Sequence, residues 1–355
     1  MNTKLVYVLA CALEATYIEQ ALISIWSARY HNPDAYIVLL VDDKTNELLI
    51  GKRAELLEYV TEKIVVSFAD PAASMMYRSR YIKTQVRELV EGELLFIDSD
   101  TVINHSLEKI DQCPYDVAAA PESNLPIAEF HPSLFQPIYE SAQKIGWNLA
   151  GEEYYYSSGV IYAKDTLIAH QLFQSWHQYW QEGLNVDVPI DQPSLAKANI
   201  ECGHIIQLID NRWNCIMFTY PRNAKEAYIL HFAAYRNMSF LFSKRVLGYI
   251  KTNGLTEYIR EYIAHPCHSY IPFDSEFYHY GLWDYIKCFK LLSQGVMEYA
   301  AYIDATFADY NPKNIVYKLL QKGLNKLAII TLLLLRFRRT RLNKRYKYTE
   351  NICAK

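Results

Sequence analysis

In the stretch "ELLFIDSDTVI", Leu94 to Ile97 form an unbroken apolar run, and two acids one residue apart, Asp98 and Asp100, follow it. Carboxylates at positions i and i+2 of a strand end can both reach one cation. Oxygen ligands of this kind favour Mg2+ or Mn2+. Such an ion holds a diphosphate and stabilises negative charge on a leaving phosphate. The bland alternative is a polar stop to a buried strand, because D-x-D is common by chance. Position separates the two.

The elements around the pair supply that position. Leu5 to Ala10 is a short apolar run, and Tyr17, Ile18, Ala21, Leu22, Ile25 and Trp26 then recur at helical spacing. "YIVLLVDD" is a second buried strand ending in acids, Asp42 and Asp43. "NELLIGKRAELLEYV" is helical in pattern, "KIVVSF" a third strand, "RSRYIKTQVRELV" a helix, and "ELLFIDSD" the fourth strand. Apolar strands alternating with helices predict a parallel sheet covered on both faces. In such sheets ligands sit at the carboxyl ends of the strands, where Asp42, Asp43, Asp98 and Asp100 fall. Further on, "YYYSSGVIYAK", "HIIQLI" and "AYILHF" read as strands, and "DTLIAHQLFQSWHQYWQ" and "DQPSLAKAN" as helices. Beyond about residue 236 the pattern is mostly helical and aromatic. Loops between about residues 120 and 156 carry no motif.

Composition sets the class. The chain has 355 residues, 51% hydrophobic and 21% charged, which is ordinary for a globular protein. Seven cysteines without a C-x-x-C pair form neither a zinc framework nor a disulfide one, so reduced thiols in a cytoplasmic protein are expected. The apolar N-terminal run reads as a first strand rather than a signal peptide. Thirty tyrosines suit polar–apolar boundaries such as glycan sites or membrane surfaces, and equally reflect a codon bias. Net charge is −3, yet seven bases crowd between Arg336 and Lys347, leaving 29 bases against 39 acids elsewhere, a net of −10. An acidic body with a basic tail implies an anionic partner for the tail.

"RSRYIKTQVRELVEGELLFIDSDTVI" resembles the metal-binding region of GT-A-fold glycosyltransferases. More narrowly, it is similar to the retaining family 8, which includes bacterial lipopolysaccharide galactosyl- and glucosyltransferases and glycogenin. "YYYSSGVIYA" resembles that family's F-N-x-G-V strand, "DQPSLAKANIECGHIIQLIDNRWNC" its D-Q-x-x-L-N segment, and "ILHFAAYRN" its H-x-x-G-x-x-K segment. The order and spacing match over about residues 1 to 237. The resemblance implies an α/β, GT-A-like (Rossmann-like), mostly parallel sheet flanked by helices. It implies a nucleotide-sugar-binding catalytic domain over 1–236, and the residue pattern adds a mainly helical region over 237–326 and an apolar-plus-basic tail over 327–355.

The resemblance also implies roles. Asp98, Asp100 and His231 would ligate Mn2+ or Mg2+. Asp191 would bond the hydroxyls of the donor sugar, and Gln192 would lie near the anomeric carbon. Arg80 and Lys83 would orient donor phosphate and sugar. Other readings stand beside these: a core or surface histidine for His231, a helix N-cap for Asp191, a solvated helix face for Arg80 and Lys83. The chain departs from the family at three places. Ser157 replaces its asparagine, Ala234 its glycine, and Asn237 its diphosphate-binding lysine. Arg236 could substitute for that lysine, since a guanidinium also binds phosphate. "LACALEATY" lacks the acid the family sets against uracil, and UDP is the expected nucleotide.

The implied reaction moves a hexose from a UDP-sugar to a hydroxyl of a surface glycan or glycolipid, with retention. "LAIITLLLL", residues 327 to 335, is too short to span a bilayer. Joined to "RFRRTRLNKRYKY" it reads as an interfacial segment on an anionic membrane surface, at the cytoplasmic face, with no nucleic-acid partner. A core helix with a solvated basic end is the alternative for that segment. A nucleotidyltransferase is the alternative activity, although its glycine-rich phosphate loop is missing from "LACALEATY". A degenerate, non-catalytic binding protein is the third reading.

Overall fold

In the computed structural model the strands and helices alternate through the first hundred residues as β1 (Lys4–Leu9), α1 (Tyr17–His31), β2 (Ile37–Asp42), α2 (Asp43–Leu48), β3 (Glu62–Val66), α3 (Met75–Lys83), α4 (Val86–Leu89) and β4 (Leu94–Ile97). There follow β5 (Thr101–Ile103), β6 (Val117–Pro121), α5 (Pro132–Lys144), β7 (Tyr156–Ala163), α6 (Leu167–Leu184), α7 (Gln192–Glu201), β8 (Ile206–Leu208), β9 (Cys215–Ile216), β10 (Ile229–His231), α8 (Lys244–Asn253) and α9 (Glu257–Ala264). The structure describes residues 1–266 apart from 131, 150, 218–223, 225 and 233–240, together with 315, 316, 318–320, 322, 323, 326 and 327. Arg236, Ala234, Asn237 and the tail beyond Leu327 therefore lie outside the described residues. Among the described residues, no helix is long and apolar enough to cross a membrane.

The fold is α/β and GT-A-like. Seven strands form one sheet in the order β3-β2-β1-β4-β7-β6-β8. β1, β2, β3 and β4 pair in parallel, and so do β6 and β8. β7 runs antiparallel to both β4 and β6. The sheet is mostly parallel, as expected, and the one reversed strand matters for the site. The reversed strand presents its beginning, Tyr156 to Gly159, at the edge where its neighbour β4 presents its end. A second sheet of three strands, β5-β10-β9, stands beside the first.

The core follows from strand composition. β2 and β4 are buried along their whole length, as apolar runs covered on both faces must be. One face packs Leu5, Tyr7, Leu39 and Leu95 against Ile18, Leu22 and Ile25 of α1, and the same cluster takes in Val246, Leu247, Ile259 and Ile263 of α8 and α9. The other face packs Val6, Leu40 and Phe96 against Ile82 of α3, Phe173 and Trp176 of α6, and Leu195 of α7. Each fully buried aliphatic side chain contributes about 1.5–3 kcal/mol.

Two expected helices are broken. "NELLIGKRAELLEYV" splits into the end of α2 and a 3-10 turn over Gly51–Glu58, because Gly51 takes φ +56 between them. "RSRYIKTQVRELV" divides into α3 and α4 at Thr84 and Gln85. Their side chains bond back to the carbonyls of Arg80 and Tyr81 (2.9 and 3.1 Å) and compete with the helical ladder. The break leaves Lys83 as the last residue of α3.

Candidate functional site

β1 lies between β2 and β4, where the strand order reverses, and this switch point opens a crevice at the carboxyl ends. β4 delivers Asp98 to that crevice, and the chain turns through Asp100 into β5. In the small sheet Thr101 is the register partner of His231 on β10. That register brings the imidazole to the carboxylates. His231 Nε2 is 3.3 Å from Asp100 Oδ1, and one donor atom from each of Asp98, Asp100 and His231 lies within 4.8 Å of the others. His231 Nδ1 faces Asn214 Oδ1 at 2.9 Å.

This donor set suits a divalent cation. Burial pushes the Asp98 carboxyl above its ordinary range against the pull of Lys83, and the neighbouring Asp100 charge adds to the rise. Burial would lower the His231 imidazole, but its hydrogen bond to Asp100 and the two carboxylate charges hold it up. Both shifts express one need, positive charge between two acids, and a bound cation would meet it.

Gly159 makes room for the cluster. A Cβ placed there would lie 2.3 Å from His231 Cε1 and 3.2 Å from Asp98 Oδ2. The Gly159 carbonyl also accepts from the Asp98 amide at 2.8 Å. Gly159→Ala is expected to displace the imidazole and destabilise the protein by about 1–3 kcal/mol, and any divalent cation held by the cluster would bind about tenfold or more weakly. Thermal melts with and without Mn2+ check both effects.

Asp191 sits at the N-cap position of α7, yet its side chain makes no capping bond. Its carboxylate takes Lys83 Nζ at 3.1 Å, Arg80 Nε at 3.2 Å and the Ser158 hydroxyl at 2.9 Å. Asp191 thus stands at the N-cap without capping, because two cations and a hydroxyl take its carboxylate in place of a backbone amide. The buried Trp176 fixes the residue from behind by donating its Nε1–H to the Asp191 carbonyl at 2.8 Å. Burial would raise the Asp191 carboxyl, but Lys83 and then Arg80 outweigh it and hold the group at about 2.

Lys83 ties the two halves together. Its ammonium also lies 3.3 Å from Asp98 and 3.2 Å from Ser158 Oγ, over the Phe96 ring. Only 6% of the side chain is exposed, so a solvated helix face does not describe it. The Arg80 side chain is one-third exposed, 33%. Its Nε lies near Asp191 without an aligned hydrogen bond, so the guanidinium is not used up by that pairing.

Gln192 donates its Nε2–H to Glu122 Oε2 at 2.9 Å. Glu122 follows β6 and comes from the stretch in which no motif was legible. One signal could have found it: "VAAAPE" is another apolar run ended by an acid. Strand-end acids are not all alike, however. Asp42 is fully buried, accepts from the Thr45 amide at 3.2 Å and pairs with Arg78, so it holds α3 on the sheet. The loop after β1 is clamped from outside. Arg53, paired with Glu19 at 2.7 Å, donates to the Ala15 carbonyl at 2.7 Å, and Lys251 of α8 donates to the Leu13 carbonyl at 2.7 Å.

Comparison with known families matches residues 8–237 to the one described as Glycosyl transferase family 8. Curated proteins yield no significant match. Among solved structures, the galactosyltransferase LgtC in complex with donor and acceptor sugar analogs is 14% identical, with 73% of this chain and 99% of that one covered, at a TM-score of 0.46. Mouse xyloside xylosyltransferase 1 is 12% identical over 66% of this chain and 98% of that one, at 0.42. The glycosyltransferase GlyE of Streptococcus pneumoniae is 15% identical over 74% of this chain and 63% of that one, at 0.42.

Proposed function

The chain belongs to glycosyltransferase family 8, and from that premise we propose that it moves a hexose from a UDP-sugar to a hydroxyl of a surface glycan or glycolipid, with retention, using Mn2+ or Mg2+ at Asp98, Asp100 and His231. The observation that carries the proposal is the cluster of these three residues, joined through Lys83 to Asp191.

The divalent ion, when bound, supplies charge to the departing diphosphate. The chain's own residues do the rest. Lys83 and Arg80 lie beside the carboxylates and add positive charge where phosphate oxygens arrive. Asp191, held ionised by those cations, accepts hydrogen bonds from sugar hydroxyls. Gln192, fixed by Glu122, faces the anomeric carbon. The bond from that carbon to the diphosphate oxygen breaks, and a bond to the acceptor oxygen forms on the same face. The acceptor proton passes to the leaving phosphate. The transition state is oxocarbenium-like, as in other glycosyl transfers. Arg236 belongs to this proposal as a phosphate ligand. The tail from residue 327 belongs to it as a contact with an anionic membrane surface at the cytoplasmic face.

A thermal-shift titration with UDP, GDP, ADP and CMP, each in Mn2+ and in EDTA, tests the site. A ligand at 100 times its Kd adds about 2.7 kcal/mol to folding stability. A rise with UDP that requires Mn2+ is expected. A rise with another nucleotide moves the donor base, and no rise with any nucleotide supports the non-catalytic reading.

A further inference from the structure

The geometry assigns Asn214 as the positioning residue that presents His231 to the cation, an inference that rests on the metal reading above. A neutral imidazole carries one proton, and only the nitrogen without it can ligate. Nε2 is the nitrogen that faces Asp100, at 3.3 Å. The proton must then sit on Nδ1, and Nδ1 faces Asn214 Oδ1 at 2.9 Å. An amide oxygen can only accept, so this contact selects the Nδ1–H form and fixes the ring plane.

Asn214 is built for that one contact. It is fully buried, and its Nδ2 makes no hydrogen bond, so the side chain is committed through its oxygen. Its backbone is pinned from both sides. The Asn214 amide donates to the Asn211 carbonyl at 3.1 Å, closing the 3-10 turn Asn211–Trp213. In the amide orientation that satisfies both groups, Asn124 donates to the Asn214 carbonyl at 3.1 Å and accepts from the Ile216 amide at 3.3 Å. Asn124 reaches that place through an unusual turn. Ser123 and Asn124 both take left-handed backbone, φ +55 and +57, a conformation that asparagine tolerates better than most residues. The turn begins at Glu122, the partner of Gln192. One short segment thus braces the support of His231 on one side and holds Gln192 on the other.

The test uses the full chain and Mn2+ alone as the probe. Free Mn2+ is counted by electron paramagnetic resonance during titration of wild type, Asn214→Leu and Asn214→Asp. Asn214→Leu, which removes the acceptor, is expected to weaken Mn2+ binding about 10–100-fold. Asn214→Asp keeps an acceptor oxygen and loses no partner at the other atom, so it is expected to bind near the wild-type affinity. Nitrogen-15 NMR of the wild type loaded with diamagnetic Mg2+ is expected to show His231 carrying its proton on Nδ1, and this readout needs no variant to fold. Wild-type affinity in Asn214→Leu, or a His231 ring without a proton on Nδ1 in the Mg2+-loaded wild type, overturns the inference while the metal reading stands. A wild type that binds no Mn2+ overturns the metal reading and this inference with it.

Discussion

Asp100→Asn is expected to lower sugar transfer by about 10³-fold or more. The proposed cation would lose a charged ligand, and about 4 kcal/mol of charge stabilisation corresponds to that factor in rate. Asp100 also bonds the imidazole, so the same change removes the charge that holds His231 Nε2 in place. Stability should respond in the opposite sense. Removing one of two crowded acids relieves the repulsion that adds to burial in raising Asp98, so the metal-free variant is expected to melt no lower than the wild type. Single-turnover transfer rates and thermal melts in EDTA separate the two effects. Full activity in Asp100→Asn would remove the residue from the proposed site.

Lys83→Met has the second largest expected effect and acts on both rate and fold. The change leaves Asp98 and Asp191 without their shared cation, with Arg80 and Ser158 still on Asp191. Breaking a buried pair from one side costs about 3–5 kcal/mol. The pH dependence gives the signature. The Asp191 value is about 2 in the fold against an ordinary 3.8, a depression worth about 2 kcal/mol of stability. That stability is present above the unfolded value and is lost as pH falls through the folded one. Asp98 is shifted upward and works the other way, favouring the fold more as it protonates. In Lys83→Met the Asp191 value should rise, so the acid-side loss of stability begins at a higher pH. Urea unfolding between pH 7 and pH 2 reads this directly, and superimposable profiles for wild type and variant would contradict the bridging role.

The parts of the fold legible in the sequence were those whose signal is local and long. β1, β2 and β4 are runs of at least four apolar residues, and α1 and α6 repeat apolar positions over four turns or more. The direction of β7 was not legible, because nothing in a strand's own residues encodes whether its neighbours run with it. β5 and β9 are three and two residues long, too short for any period to register. β6, "VAAAP", lacks the β-branched and aromatic density of a strand. The acids and His231 were found through motif order, whereas Glu122 and Asn214 were missed because each acts through a partner distant in sequence. Asn214 stood in plain view within "NRWNC", but only the register of β10 against β9 gives it an imidazole to hold.

That small sheet also ties the site to the way the chain is made. β10 is its middle strand, and β5 and β9 pair only with it within that sheet. β5 leaves the ribosome long before β10, with about 130 residues between Asp100 and His231. Until β10 arrives, the edge of β5 is unsatisfied and the two acids face each other without their imidazole. Closing so long a loop is entropically slow, and the contact that ends it also completes the proposed ligand set. A nascent chain shorter than His231 would therefore lack one of the three proposed ligands, so on the proposed reading tight cation binding would report that synthesis has passed β10 and the small sheet has closed.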